Sequence, residues 1–102
     1  MLRLKNEVNT IGIRPEILLA IMVADGIYQA EGFELVITSL NDSTHADTSR
    51  HYQGMAVDFR TRDFTGAIAR HITEKLRQAL GRHYFVLNES DHIHIGYQPK
   101  QK

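Results

Sequence analysis

The chain has no cysteine, no tryptophan, only two prolines and no excess of charge of either sign. Without cysteine there are neither disulfides nor thiolate metal sites, so any metal must be held through nitrogen and oxygen. Twelve basic and twelve acidic residues cancel when histidine is neutral. That balance gives no electrostatic drive toward nucleic acid or an anionic membrane, and neither is expected as a partner. The longest apolar run, Ile17 to Ala24, falls far short of the roughly 20 residues that span a bilayer. The start, Met1-Leu2-Arg3-Leu4-Lys5-Asn6-Glu7, lacks a continuous apolar stretch, so no signal peptide is expected.

A length of 102 residues favours one domain, 1–102, with a modest core. Its 42% hydrophobic and 24% charged residues place it among soluble globular chains rather than disordered ones. Pro15 suits the first turn of a helix, where its missing N–H costs nothing. That helix is expected over Arg14 to Ala30, with Ile17, Ile21, Ala24 and Tyr28 on one face and Leu18 and Met22 widening it. Gly32 is its expected stop. Phe33 to Thr38 reads as a strand, and Leu40 to Arg50, rich in Asn, Asp, Ser and Thr, as a loop. A second helix is expected over Phe64 to Leu80, with Ile68, Ile72, Leu76 and Ala79 inward and Gly81 as its end. Met55 to Arg60, Tyr84 to Asn88 and His92 to Tyr97 read as further strands, and the polar tail from Gln98 to Lys102 as frayed. The predicted fold class is α+β, a small antiparallel sheet with helices on one face and a ligand site on the other.

Four of the six histidines fall in two polar stretches. The first runs from His45 through Ser49 and His51 to Asp58, and the second is Glu89-Ser90-Asp91-His92-Ile93-His94. Strand side chains alternate between faces. Met55, Val57 and Phe59 therefore point one way, and Ala56, Asp58 and Arg60 the other. Likewise Ile93 and Ile95 oppose His92, His94 and Gly96. If the two strands are antiparallel neighbours, Asp58 and His94 share an open face and His51 reaches in from the preceding loop, turned back at Gly54. Imidazole nitrogen and carboxylate oxygen suit zinc, and a catalytic zinc takes three protein ligands and keeps one position open. His51, Asp58 and His94 are the candidates. Alternation alone is equally compatible with ordinary hydrogen-bonding residues.

The stretch Ser49-Arg50-His51-Tyr52-Gln53-Gly54-Met55-Ala56-Val57-Asp58 resembles the first zinc motif of the peptidases grouped with D-Ala-D-Ala metallopeptidases and the hedgehog signalling domain. That motif is Ser-x-His, two residues, then Gly-x-Ala-x-Asp, and every specified position is filled. Phe85 to His94 resembles the region of the same group that ends in His-x-His. The resemblance covers about residues 33 to 97. It implies a hedgehog/D-Ala-D-Ala-peptidase-like fold and a zinc-dependent peptidase acting on peptidoglycan stem peptides, with zinc on His51, Asp58 and His94. It places His92 beside the metal without binding it and Glu89 as the acid/base. His45 is expected either to orient a metal ligand or to line the substrate groove, and Ser49 to contact substrate. The alternative base is Asp91, at the spacing of phage endolysins of the group.

The chain also departs from the group. The stretch Ile37-Thr38-Ser39-Leu40-Asn41-Asp42 lacks the upstream Arg with which carboxypeptidase members hold a terminal carboxylate, so an endopeptidase is favoured. The acidic cluster that binds calcium in hedgehog domains is largely missing. A cell-wall enzyme without an export signal would stay cytoplasmic until released, as a phage lysis protein is through a holin, or would travel in a virion. Hedgehog domains also keep this ligand set for binding without turnover, so a non-catalytic zinc-binding module is the alternative function.

Overall fold

Short alternating stretches become strands in the computed structural model, which describes residues 2–5, 8, 13–40 and 55–98. The elements are β1 (Leu2–Leu4), α1 (Pro15–Ala30), β2 (Leu35–Leu40), β3 (Ala56–Arg60), α2 (Gly66–Leu80), β4 (Tyr84–Asn88) and β5 (His92–Tyr97). All five strands form one sheet in the order β1-β2-β3-β5-β4. The pairs β2·β3, β3·β5 and β5·β4 are antiparallel, as expected, but β1 lies parallel to β2. The sheet is therefore mixed rather than purely antiparallel. The cause lies in the connection: parallel neighbours need a crossover, and α1 supplies it between β1 and β2.

Pro15 opens α1 after an extended Arg14. Past its end, Gly32 adopts φ 85°, which glycine tolerates without a Cβ clash. The buried stripe is Ile17, Ala20, Ile21, Ala24 and Tyr28. Leu18 and Met22 do not widen it. They lie off the stripe and are exposed, Met22 at 72%, while small Ala20 lets the helix approach the sheet. In α2 the hydroxyl of Thr65 accepts from the Ile68 N–H at 3.1 Å. This cap starts the helix after Phe64 rather than at it. Ile72 and Leu76 face inward as expected, together with Ala69 and Thr73, but Ala79 is exposed. The buried Thr73 hydroxyl is satisfied by the Ala69 carbonyl at 2.7 Å.

The helix stripes meet Leu35, Ile37, Leu40, Val57, Phe59, Val86, Ile93 and Ile95 in a single core cluster, so both helices cover one face of the sheet. Tyr28 packs edge-on to Phe59 at 6.0 Å between ring centroids, and Phe64 lies between Tyr28 and Phe33, tilted against the first and edge-on to the second. The Arg77 guanidinium donates to the Val86 carbonyl at 2.9 Å and ties α2 to edge strand β4. The second strand begins and ends two residues later than the sequence suggests, at Leu35 and Leu40. A register shift between Ile37 and Ser39 returns Leu40 to the core. Among the described residues, no helix is long and apolar enough to cross a membrane.

Candidate functional site

Alternation that buries Val57, Phe59, Ile93 and Ile95 sends their neighbours to the opposite face. The β3·β5 register sets Ala56 opposite Gly96, Asp58 opposite His94, and Arg60 opposite His92. The expected meeting of Asp58 and His94 is thus observed. His94 Nδ1 lies 2.8 Å from Asp58 Oδ1. Both side chains are largely covered, 15% exposed for Asp58 and 16% for His94. A hydrogen bond of this length in a partly dry setting holds both groups in a fixed orientation.

His92 is the hub of the acidic groups. Its Nδ1 lies 2.6 Å from Asp91 Oδ1, and its Nε2 lies 3.2 Å from Glu89 Oε1 and 3.8 Å from Asp58 Oδ2. The two carboxylates of the β4–β5 turn therefore take opposite sides of one ring. Glu89 shares the Nε2 side with Asp58, and Asp91 holds the other nitrogen. Partial burial pulls the His92 pKa down, but the hydrogen bond to Asp91 and the nearby charges of Asp58, Glu89 and Asp91 outweigh it and leave the pKa raised. The same hydrogen bond and the charge of His92 hold the Asp91 carboxyl below the usual range.

Neighbouring strands complete the face. Ser39 pairs with Asp58 across β2·β3, and its buried hydroxyl has no hydrogen-bond partner among the described residues. Leu87 pairs with His94 and Phe85 with Gly96 across β4·β5. Phe85 sits edge-on to the His94 ring at 6.2 Å, and both apolar side chains are exposed. They form an apolar wall beside the polar pair. Ser39, Phe85 and Leu87 belong to no motif that marks them as site residues, although the parity of Tyr84–Asn88 already sends Phe85 and Leu87 away from buried Val86.

A cleft of about 300 Å³ adjoins the site, lined by Lys5, Thr38, Arg60, Arg62, Asp91 and His92. A second, of about 320 Å³, lies on the other side of the turn, between the start of α2 and Asn88-Glu89-Ser90. Asp91 lines the first cleft and Glu89 the second.

His51, His45 and Ser49 lie outside the described residues. Among the described residues, no group of three or more histidine, cysteine or acidic side chains is gathered so as to hold a metal ion. Asp58 and His94 present a carboxylate oxygen and an imidazole nitrogen side by side, a donor pair whose chemistry fits zinc. His71, outside both motifs, pairs with Glu31 at 3.1 Å on the helical side of the molecule. No protein-family model, no curated protein and no solved structure matches the chain.

Proposed function

We propose that the chain is a zinc-dependent peptidase of the hedgehog/D-Ala-D-Ala-peptidase type, acting as an endopeptidase on peptidoglycan stem peptides. The observation that carries this reading is the Asp58–His94 pair. Two residues 36 apart in sequence, each ending a motif of that group, are directly opposite in the register and 2.8 Å apart on the open face. Zinc would be held by Asp58 and His94 together with His51. When bound there, zinc supplies Lewis-acid polarisation of a peptide carbonyl and a stronger water nucleophile at neutral pH.

The chain's own residues take the remaining roles. Glu89 accepts a proton from the attacking water and delivers it to the leaving amine. Its place on the Asp58 side of His92, with Asp91 on the far side, supports Glu89 over Asp91 as the base. His92 directs Nε2 toward the same space and donates to the oxygen on which charge develops. Asp91, at Nδ1, is a positioning residue that fixes the ring's orientation. Phe85 and Leu87 give the peptide an apolar surface to lie against. His45 and Ser49 are proposed groove residues.

Incubating the purified protein with stem peptides tests the proposal. Cleavage that a chelator abolishes and zinc restores is the expected result. Zinc-loaded protein that leaves every stem peptide intact would overturn it.

A further inference from the structure

We propose that the cleft lined by Lys5, Arg60 and Arg62 binds a carboxylate of the peptide substrate. This rests on the peptidase reading for the identity of the ligand, and on the cleft alone for its charge.

The three cations converge from separate parts of the chain. Arg60 lies on the open face at the register position opposite His92, the next same-face pair after Asp58–His94. Arg62 follows just beyond the end of β3, and Lys5 just beyond the end of β1. The Lys5 N–H is anchored to the Ile37 carbonyl at 2.8 Å, which brings its side chain to the cleft. Two cations elsewhere find acids: Arg3 pairs with Glu34, and Arg77 with Glu74. Among the described residues, Lys5, Arg60 and Arg62 have no such partner. The one acid lining the cleft, Asp91, is engaged by His92 at 2.6 Å. Three like charges around one concavity repel each other and focus a positive potential into it. A carboxylate relieves that repulsion, and the guanidinium fork matches its two oxygens.

The geometry also limits where that carboxylate sits. Same-face residues along a strand are about 7 Å apart, and an extended peptide advances about 3.3 Å per residue. The recognised carboxylate therefore belongs to a residue within about two positions of the bond held at Asp58 and His94. It is either the terminal carboxylate of the peptide or the side-chain carboxylate of an acidic residue in it. A side-chain carboxylate at this distance fits the endopeptidase proposed above, whereas a terminal carboxylate would make the cleavage that of a carboxypeptidase.

Two measurements test this. In the first, isotope-labelled protein is titrated with N-acetylalanine and with its neutral amide at constant ionic strength, and the side-chain N–H signals of Arg60 and Arg62 are followed. The acid should shift both and saturate, the amide should not, and Arg62→Gln should weaken the acid at least about threefold. Equal responses to acid and amide overturn the proposal, whether or not the protein cleaves anything. In the second, cleavage is compared for a stem peptide with all carboxylates free, with its C-terminus amidated, and with its acidic side chain amidated. One amidation should raise KM about tenfold or more in the wild type. Arg60→Gln/Arg62→Gln should cost the same on the free acid, and the two losses should not add. The amidation that does this identifies the carboxylate. Stem peptides cleaved with the same KM in all three forms overturn the proposal while leaving the peptidase reading intact. Absence of any cleavage overturns the peptidase reading, and the titration then decides the cleft.

Discussion

The two faces of the sheet are made from the same strands, one residue out of phase, and they follow opposite rules. On the helical face, Val57, Phe59, Ile93 and Ile95 are fully buried, and each buried side chain of this kind contributes about 1.5–3 kcal/mol. On the open face, Asp58, His92 and His94 are held by hydrogen bonds to one another and to turn carboxylates, at some cost in desolvation. The first face stabilises the fold whatever its exact shape. The second has value only if its polar atoms stay within hydrogen-bonding geometry, so the core behind it must be rigid. Stability and chemistry are divided between adjacent residues: Phe59 faces the core and Asp58 the site.

That division predicts unequal effects from neighbouring substitutions. The largest is expected for Phe59→Ala, which removes a fully buried ring that contacts Tyr28. It should cost about 3–5 kcal/mol in denaturant unfolding. A cost below about 1 kcal/mol would mean that the core does not close around this ring. Glu89→Gln should leave the melting temperature nearly unchanged and lower peptide hydrolysis by a factor on the order of 10² or more. Asp91→Asn should be milder, and the reverse ranking would move the base to Asp91. Asp58→Ala in metal-free protein removes the 2.8 Å contact with His94 and should cost roughly 1–2 kcal/mol. With zinc present the loss should be greater, because metal binding is coupled to folding. Equal losses with and without chelator would show that no metal is linked to stability at Asp58.

The smallest effect tests the back of the sheet by pH. Burial raises the Tyr28 pKa above its ordinary value of 10.0. A group whose folded pKa is raised contributes stability that is complete below the unfolded pKa and lost as pH climbs above it. Unfolding titrations should therefore show stability falling above about pH 10, and Tyr28→Phe should flatten that decline. At neutral pH the same change removes only a 3.4 Å hydrogen bond to the Arg60 carbonyl, a loss of less than about 1 kcal/mol. An unchanged alkaline limb would show that Tyr28 ionises without opening the core.

Much of this was legible in the sequence because period-two alternation is local. The spacing around Val57-Asp58-Phe59 and Ile93-His94-Ile95 is enough to assign faces, and the register agrees with it. Pro15, Gly32 and Gly81 marked the helix ends for reasons equally local. What the sequence did not disclose depends on partners far along the chain. Leu2–Leu4 is too short to show a period, and it becomes a strand only because β2 offers an edge. The shift between Ile37 and Ser39 exists only against β3. Lys5, Arg60 and Arg62 form no motif, since their cleft arises from bringing β1 to the same end of the sheet as the β4–β5 turn. Leu18 and Met22 look like core residues by composition, and only the placement of the helix over the sheet shows that they are not.

The central claim is that the open face is a zinc site, and locating the metal tests it most directly. Protein purified with zinc, analysed for metal content and crystallised for anomalous scattering at the zinc edge, should contain one zinc per chain. The ion should lie about 2.0–2.2 Å from ligand atoms of His51, Asp58 and His94. A zinc more than about 3 Å from all three side chains, or protein that retains no zinc, would contradict the account.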